Sequence, residues 1–193
     1  MHDALILAAG GSARLGQPKQ LLTRHGETLL ARAVRLVLET RPSRTVVVLG
    51  AHDAELQAAL TGLDVEIPVN ALWATGMASS LRCGATLLSG RTNPVLVTVV
   101  DQPALSVRHF DALLSQYDAS RDVVTAYEAA AGVPVVLRPA TLARAASLSG
   151  DEGFRRLWGS ETPARVRADD LGFDLDTPED VRRAVLAGHL DPV

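Results

Sequence analysis

Leu5-Ile-Leu-Ala-Ala-Gly-Gly-Ser-Ala-Arg-Leu-Gly-Gln-Pro-Lys-Gln-Leu-Leu22 is the stretch that decides how this chain is read. The apolar run Ala4 to Ala8 has the character of a buried strand. It stops at Gly10-Gly11, where a backbone without side chains can bend and leave its N–H groups uncovered. Successive uncovered amides form an anion-binding concavity. Arg14 and Lys19 bring full positive charge to the same turn, and Pro18 fixes the chain just before Lys19, so the ammonium sits on a stiff segment.

Two familiar phosphate loops do not fit. A Walker A loop needs Lys directly after its last Gly, and Gln17 and Pro18 stand in the Lys and Ser/Thr places after Gly16. A dinucleotide fingerprint needs G-x-G-x-x-G and an acidic residue closing the second strand. Here the glycines are adjacent, and Thr45-Val-Val-Val-Leu-Gly50 runs into Ala51 and His52.

A third pattern does fit. The stretch resembles the L-A-A-G-x-S-x-R-x-G-x-P-K signature of the MobA/MocA-like nucleotidyltransferases, the family of the molybdenum cofactor guanylyl- and cytidylyltransferases. Pro18-Lys19-Gln20 is also similar to the opening of the methylerythritol phosphate cytidylyltransferases. The resemblance implies that Leu7, Ala8, Ala9, Gly10, Gly11, Arg14 and Lys19 hold a nucleoside triphosphate, in a Rossmann-like nucleotidyltransferase fold. A bare glycine pair is commonly just a tight strand-to-helix turn; the ordered Arg, Gly, Pro and Lys favour phosphate.

Composition sets outer bounds. With 193 residues, 47% of them hydrophobic, there is material for one substantial core, and one domain over 1–193 is the expectation. A net charge of −3 argues against a nucleic-acid or membrane surface as the main partner, so an anionic substrate must be held by a local cluster. No apolar run is long enough to span a bilayer, and Met1-His-Asp enters the first strand without the features of a signal peptide. Cys83, the single cysteine, forms no internal disulfide, and the expected location is the cytoplasm.

Further along, strand-like and helix-like patterns alternate. Thr28 to Thr40 carries a broad apolar stripe at helical spacing and ends before Pro42; Thr45 to Leu49 reads as a strand, Asp53 to Leu60 as a helix, and Val65 to Val69 as a third strand. Gly76 to Leu88 reads as a helix and Val95 to Val100 as a strand. A helix at His109–Tyr117 and strands at Asp122–Tyr127 and Gly132–Pro139 follow. Continuous apolar strands separated by helices predict an α/β fold of three layers, with a mostly parallel sheet covered on both faces.

The strand at Val95 ends in Asp101-Gln102-Pro103, and in open parallel sheets the ligand crevice lies at the carboxyl ends of strands. A carboxylate beside a triphosphate can hold Mg²⁺. The family resemblance gives Asp101 that role, with Mn²⁺ as a substitute; the plain alternative, a helix cap, is better filled by Ser106. Asn70 and Ser80 flank a Gly76-Met-x-x-Ser-Leu segment similar to the family's base pocket and are expected nucleotide contacts, although Ser at a helix start is equally an ordinary cap. No G-x-S-x-G surrounds Ser79 or Ser80, and Cys83 reads as a small core residue.

The acceptor side rests on resemblance. Gly132-Val-Pro134 looks like the Gly-x-Pro strand that the family places beside its acceptor, and Gly150-Asp151-Glu-Gly153 is similar to the family's Gly-Asp-x-Gly. With Gln102, these are the expected acceptor contacts, while Asp151 is also simply a candidate N-cap. In Phe173-Asp-Leu-Asp-Thr-Pro-Glu-Asp-Val181, Asp174 and Asp176 point the same way if the segment is extended, and Thr177-Pro178 begins a helix. The resemblance brings a second acid to the metal here, with Asp176 the first choice and Asp174 the reserve. His2, His25, His52, His109 and His189 lack metal spacing and are expected at the surface, and the tail after Leu186 is expected to fray.

Together these readings give a nucleotidyltransferase with Arg14, Lys19 and Asp101 as its catalytic groups. Ala9 and Gln102-Pro103 look like the branch that moves CMP from CTP onto molybdopterin, which implies a molybdoenzyme or its maturation chaperone as recipient of the product. GTP, another phosphorylated acceptor, and a nucleotide-binding protein without turnover are the alternatives.

Overall fold

β1 (Asp3–Leu7) is buried from end to end. Strand alternation sends Ala4 and Ile6 into one apolar layer and Leu5 and Leu7 into the other, so its sequence is a continuous apolar run. The computed structural model describes residues 1–128, 130–150 and 152–192, and Asp151 lies outside the described residues. After β1 come the hairpin β2 (Thr23–Arg24) and β3 (Glu27–Thr28), α1 (Leu29–Glu39), β4 (Thr45–Val48), α2 (Asp53–Ala58), α3 (Met77–Leu87) and β5 (Val95–Val99). Then follow α4 (Val107–Gln116), β6 (Val123–Tyr127), β7 (Ala130–Leu137), α5 (Pro139–Ala143), α6 (Arg155–Trp158), β8 (Ala164–Arg167) and α7 (Pro178–Leu186).

The main sheet has the order β4-β1-β5-β7-β6-β8, and within it only β7 runs antiparallel to its neighbours. One face is covered by α1, α2 and α4 through Leu30, Val34, Leu56, Phe110 and Leu113. The other is covered by α3, α5 and α6 through Leu81, Leu142 and Leu157. The fold is therefore the expected three-layer α/β/α arrangement with a mostly parallel sheet. Among the described residues no helix is long and apolar enough to cross a membrane.

β1 leads to β4 on one side, and the chain then returns past it to β5 on the other. That reversal opens a crevice at the carboxyl ends of β1 and β5.

The turn after β1 is braced from within. Gln20, 1% exposed, donates from Nε2 to the carbonyls of Ala8 (2.9 Å) and Gly10 (2.7 Å). Ser12 adopts a left-handed φ of 51°, its carbonyl accepts from the amides of Leu15 and Gly16, and its Oγ accepts from the Lys19 amide at 3.1 Å. The bend expected of Gly10-Gly11 is thus made at Ser12 and at Gly16 (φ 78°), and the glycine pair serves by lacking side chains. Leu15 anchors the turn in a third, smaller core with Leu22, Leu29, Leu175, Val181, Ala184 and Leu190.

Three expectations are corrected, and one strand was not foreseen. Val65–Val69 forms no full strand but two isolated parallel bridges to β4, because Pro68 lacks the N–H due between those of Glu66 and Asn70. The tail does not fray: Leu190 is buried, the Asp191 amide bonds Thr23 O at 2.8 Å, and its carboxylate accepts from the amides of His25 and Gly26. His2 and His109 are buried, bonded to the hydroxyls of Thr40 (2.9 Å) and Thr125 (2.7 Å). The edge strand β8 was not expected, because Ala-Arg-Val-Arg buries only Ala164 fully and shows too little apolar signal.

Two predictions follow from these braces. Gln20→Ala strips the Ala8 and Gly10 carbonyls of their donor, and urea denaturation should show a loss of about 1–3 kcal/mol, as for a buried hydrogen bond left unmade; an unshifted midpoint would contradict this. Burial holds the His109 pKa below its ordinary value, against a weaker upward pull from Asp170. The unfolded chain therefore binds its proton first, so this contribution to stability is present above about pH 6.5 and falls away below it. The stability gap between wild type and His109→Gln should shrink between pH 7.5 and 5.5; a pH-independent gap would refute the assignment.

Candidate active site

Leu7 of β1 and Val99 of β5 are register partners, so the glycine turn and Asp101 leave adjacent strands at the same level. α7 is capped by Thr177 and Asp180 in a reciprocal box with Pro178 in the first turn, and the third core holds Leu175 beneath it. Asp176, just before that cap, is thereby placed over the turn. α4 is capped by Ser106, so Asp101 is not spent as a cap.

These segments meet at one ammonium. Lys19 Nζ donates to Asp101 Oδ2 at 2.6 Å, to Asp176 Oδ1 at 3.2 Å and to the Leu175 carbonyl at 3.2 Å. Arg14, largely exposed, donates to Asp176 Oδ2 at 2.8 Å. Burial works against the Lys19 charge, but Asp101 and then Asp176 outweigh it, and the lysine pKa stands above its ordinary value. Asp174 is an exposed residue whose carboxyl feels the same cluster: desolvation by its neighbours, then the charge of Asp101, push it up to about 6, while Gln102 and Lys19 pull the other way.

A cavity of about 330 Å³ opens beside this cluster, a volume within the range of small-molecule sites. Leu7, Ala8, Ala9, Gly10, Gly11, Lys19, Ser80 and Asp101 line it, as do Gln20, Trp73 and Met77. Among the described residues the amides of Gly10, Gly11, Ser12 and Ala13 donate to no protein acceptor, and Gly10 and Gly11 line the cavity.

Other expected site residues stand further back. Asn70 is behind the lining; its Nδ2 donates to Ser79 Oγ (2.8 Å) and Ser80 Oγ (3.0 Å), and its Oδ1 accepts from the Leu72 amide. Gln102 is buried, and its Nε2 is shared among Tyr127 Oη, Val133 O and Leu171 O, so its side chain ties the end of β5 to β7 and to the loop after β8. Gly132 lies by the Tyr127 ring, the Pro134 carbonyl accepts from Thr125 Oγ1, and the Gly150 carbonyl accepts from the Ala78 amide at the start of α3. Gln20, Trp73 and Tyr127 were not singled out from sequence; the only available signal was Gln20 closing the Pro-Lys-Gln run.

Among the described residues no group of three or more His, Cys, Asp or Glu side chains is arranged to hold a metal by itself. Asp101 nonetheless keeps one buried carboxylate oxygen, Oδ1, without a partner, and Asp176 lies across the same ammonium. One or two carboxylates, with waters and substrate phosphates completing the shell, is the donor set Mg²⁺ takes. The residues fit a divalent ion held jointly with a nucleotide.

Comparison with known proteins accords with this geometry. The MobA-like NTP transferase domain matches residues 4–166. Nicotine blue oxidoreductase of Paenarthrobacter nicotinovorans is 35% identical over 93% of this chain and 94% of that protein. The purine catabolism protein PucB of Bacillus subtilis is 30% identical over 94% and 96%. The molybdenum cofactor cytidylyltransferase of Escherichia coli is 25% identical over 92% of each. Among solved structures, Rv0371c of Mycobacterium tuberculosis superposes with a TM-score of 0.81 at 26% identity, covering 96% of this chain and 98% of that one. With the family domain spanning most of its length and two full-length relatives at 30% identity or more, the chain belongs to the MobA-like NTP transferases and is a nucleotidyltransferase.

Proposed function

We propose that the chain moves CMP from CTP onto the phosphate of the molybdopterin or molybdenum cofactor. An acceptor phosphate oxygen attacks the α-phosphorus, a new P–O bond forms, the bond to the β-phosphate breaks, and pyrophosphate leaves. Such a transfer asks the protein for positioning and charge neutralisation and needs no side-chain nucleophile. The observation that carries this reading is the meeting of Lys19, Asp101 and Asp176 against a turn with free amides.

In this reading the amides of Gly10 to Ala13 receive phosphate oxygens, and Lys19 exchanges a carboxylate partner for a phosphate one. Arg14 adds charge from the exposed side. Asp101 and Asp176 would hold Mg²⁺ or Mn²⁺, which supplies charge neutralisation on the phosphate oxygens when bound; a manganese complex of M. tuberculosis Rv0371c exists on the same fold. CTP and the molybdenum cofactor are favoured by Ala9, by Gln102-Pro103, and by the E. coli cytidylyltransferase among the relatives. A molybdoenzyme or its maturation chaperone would receive the product.

A second reading has its own support, since the relative of 35% identity is named an oxidoreductase. There the same cavity would take the phosphates of a redox nucleotide.

Pyrophosphate release should appear with CTP, cofactor and Mg²⁺ together, and more slowly or not at all with GTP, ATP or UTP. Oxidation of NADH or NADPH by a quinonoid dye, with no pyrophosphate formed, would establish the second reading instead. Asp101→Asn should lower kcat about 10²–10³-fold, as for loss of a group that stabilises transition-state charge; near-normal Mg²⁺-dependent turnover would remove Asp101 from the mechanism.

A further inference from the structure

Trp73 belongs to none of the roles assigned so far. It is 36% exposed although it is the largest type of side chain, and it is the one aromatic residue lining the cavity among the described residues. Its contacts explain glycines in two separate loops. A Cβ on Gly11, in the turn after β1, would come within 2.8 Å of Trp73 Cζ3 and 2.9 Å of Cη2. A Cβ on Gly50, just after β4, would come within 2.6 Å of Trp73 Cβ and 2.8 Å of Cγ, and also 2.8 Å from the Ala9 carbonyl. One side chain thus bears on Gly50 with its stem and on Gly11 with the far edge of its ring.

The segment that carries it is well held. The Trp73 amide bonds Asn70 O at 3.2 Å, the Leu72 amide bonds Asn70 Oδ1 at 3.0 Å, and the Gly76 amide bonds Trp73 O at 3.2 Å. Asn70 is in turn fastened to Ser79 and Ser80 at the start of α3. Gln20 braces the turn through the carbonyls of Ala8 and Gly10, and Trp73 bears on it at Gly11.

We propose that Trp73 is a positioning residue for the triphosphate, an indole wedge between Gly11 and Gly50 that fixes the shape of the turn whose amides, Gly10 to Ala13, have no protein acceptor. This rests on the reading of that turn as the nucleotide's phosphate grip. A loop held in its binding shape before the ligand arrives loses less freedom on binding, so removal of the wedge weakens affinity more than chemistry.

The test combines a ligand-free packing cycle with a binding measurement. Gly11→Ala should lower the melting temperature in the wild-type background and cost much less beside Trp73→Ala, because the clash has been removed; equal losses in both backgrounds would overturn the wedge. Trp73→Ala should weaken Mg²⁺-CTP binding by calorimetry about tenfold, with kcat at saturating CTP changed less than about threefold, and Trp73→Phe, which keeps a ring against Gly50 but lacks the Cζ3–Cη2 edge, should recover only part of the affinity. If wild type binds CTP and Trp73→Ala binds it equally well, the positioning role is lost while the nucleotide reading stands. If wild type binds none of CTP, GTP, ATP or UTP, the nucleotide reading itself fails and takes this role with it.

Discussion

One ammonium organises the site. Lys19 is drawn from the first turn, Asp101 from the end of β5 and Asp176 from the approach to α7, and a hydrogen-bonded charge cluster holds them together. A lysine taken this far out of water needs opposite charge close by, and two carboxylates this near each other need a cation between them. Each requirement answers the other, and with the Arg14 guanidinium on Asp176 two cations balance two acids. In the function proposed above, an incoming triphosphate with its metal would bring both signs of charge and replace both halves of that arrangement.

Much of this was legible in the linear sequence because each part sits at a place where local rules are strong. The run Ala4 to Ala8 had to be a strand buried on both faces, and the glycine pair had to end it. Asp101 followed another such strand, and Asp176 preceded a helix whose Thr177-Pro178 start is unambiguous. What escaped was decided by contacts between distant segments. Nothing local to Gln20 says that its amide will be buried under two carbonyls, and nothing local to Trp73 says that two glycines elsewhere will make room for it. Pro68 did carry a readable warning, since it removes a donor from the ladder to β4. His109 gave none, because its burial depends on the hydroxyl of Thr125 across the layer.

The relatives show why geometry and reaction have to be argued separately. Relatives that match this chain over more than nine-tenths of its length are named for cytidylyl transfer, purine catabolism and oxidoreduction. A run of free amides beside a cavity suits the phosphates of any nucleotide, whichever end of that nucleotide reacts. The paired carboxylates around Lys19 are the more discriminating feature, since the proposed charge neutralisation at phosphorus would use them and hydride transfer would not.

The third core couples segments that are far apart along the chain. Leu15 in the first turn is packed with Leu175, Val181 and Leu190, and Asp191 is stitched to the β2–β3 hairpin. Bringing such distant residues together costs loop-closure entropy that only their packing returns. The floor beneath the turn is therefore the least local part of the fold, and a change that loosens α7 is transmitted to the spacing of Lys19 and Asp176 before it reaches the sheet.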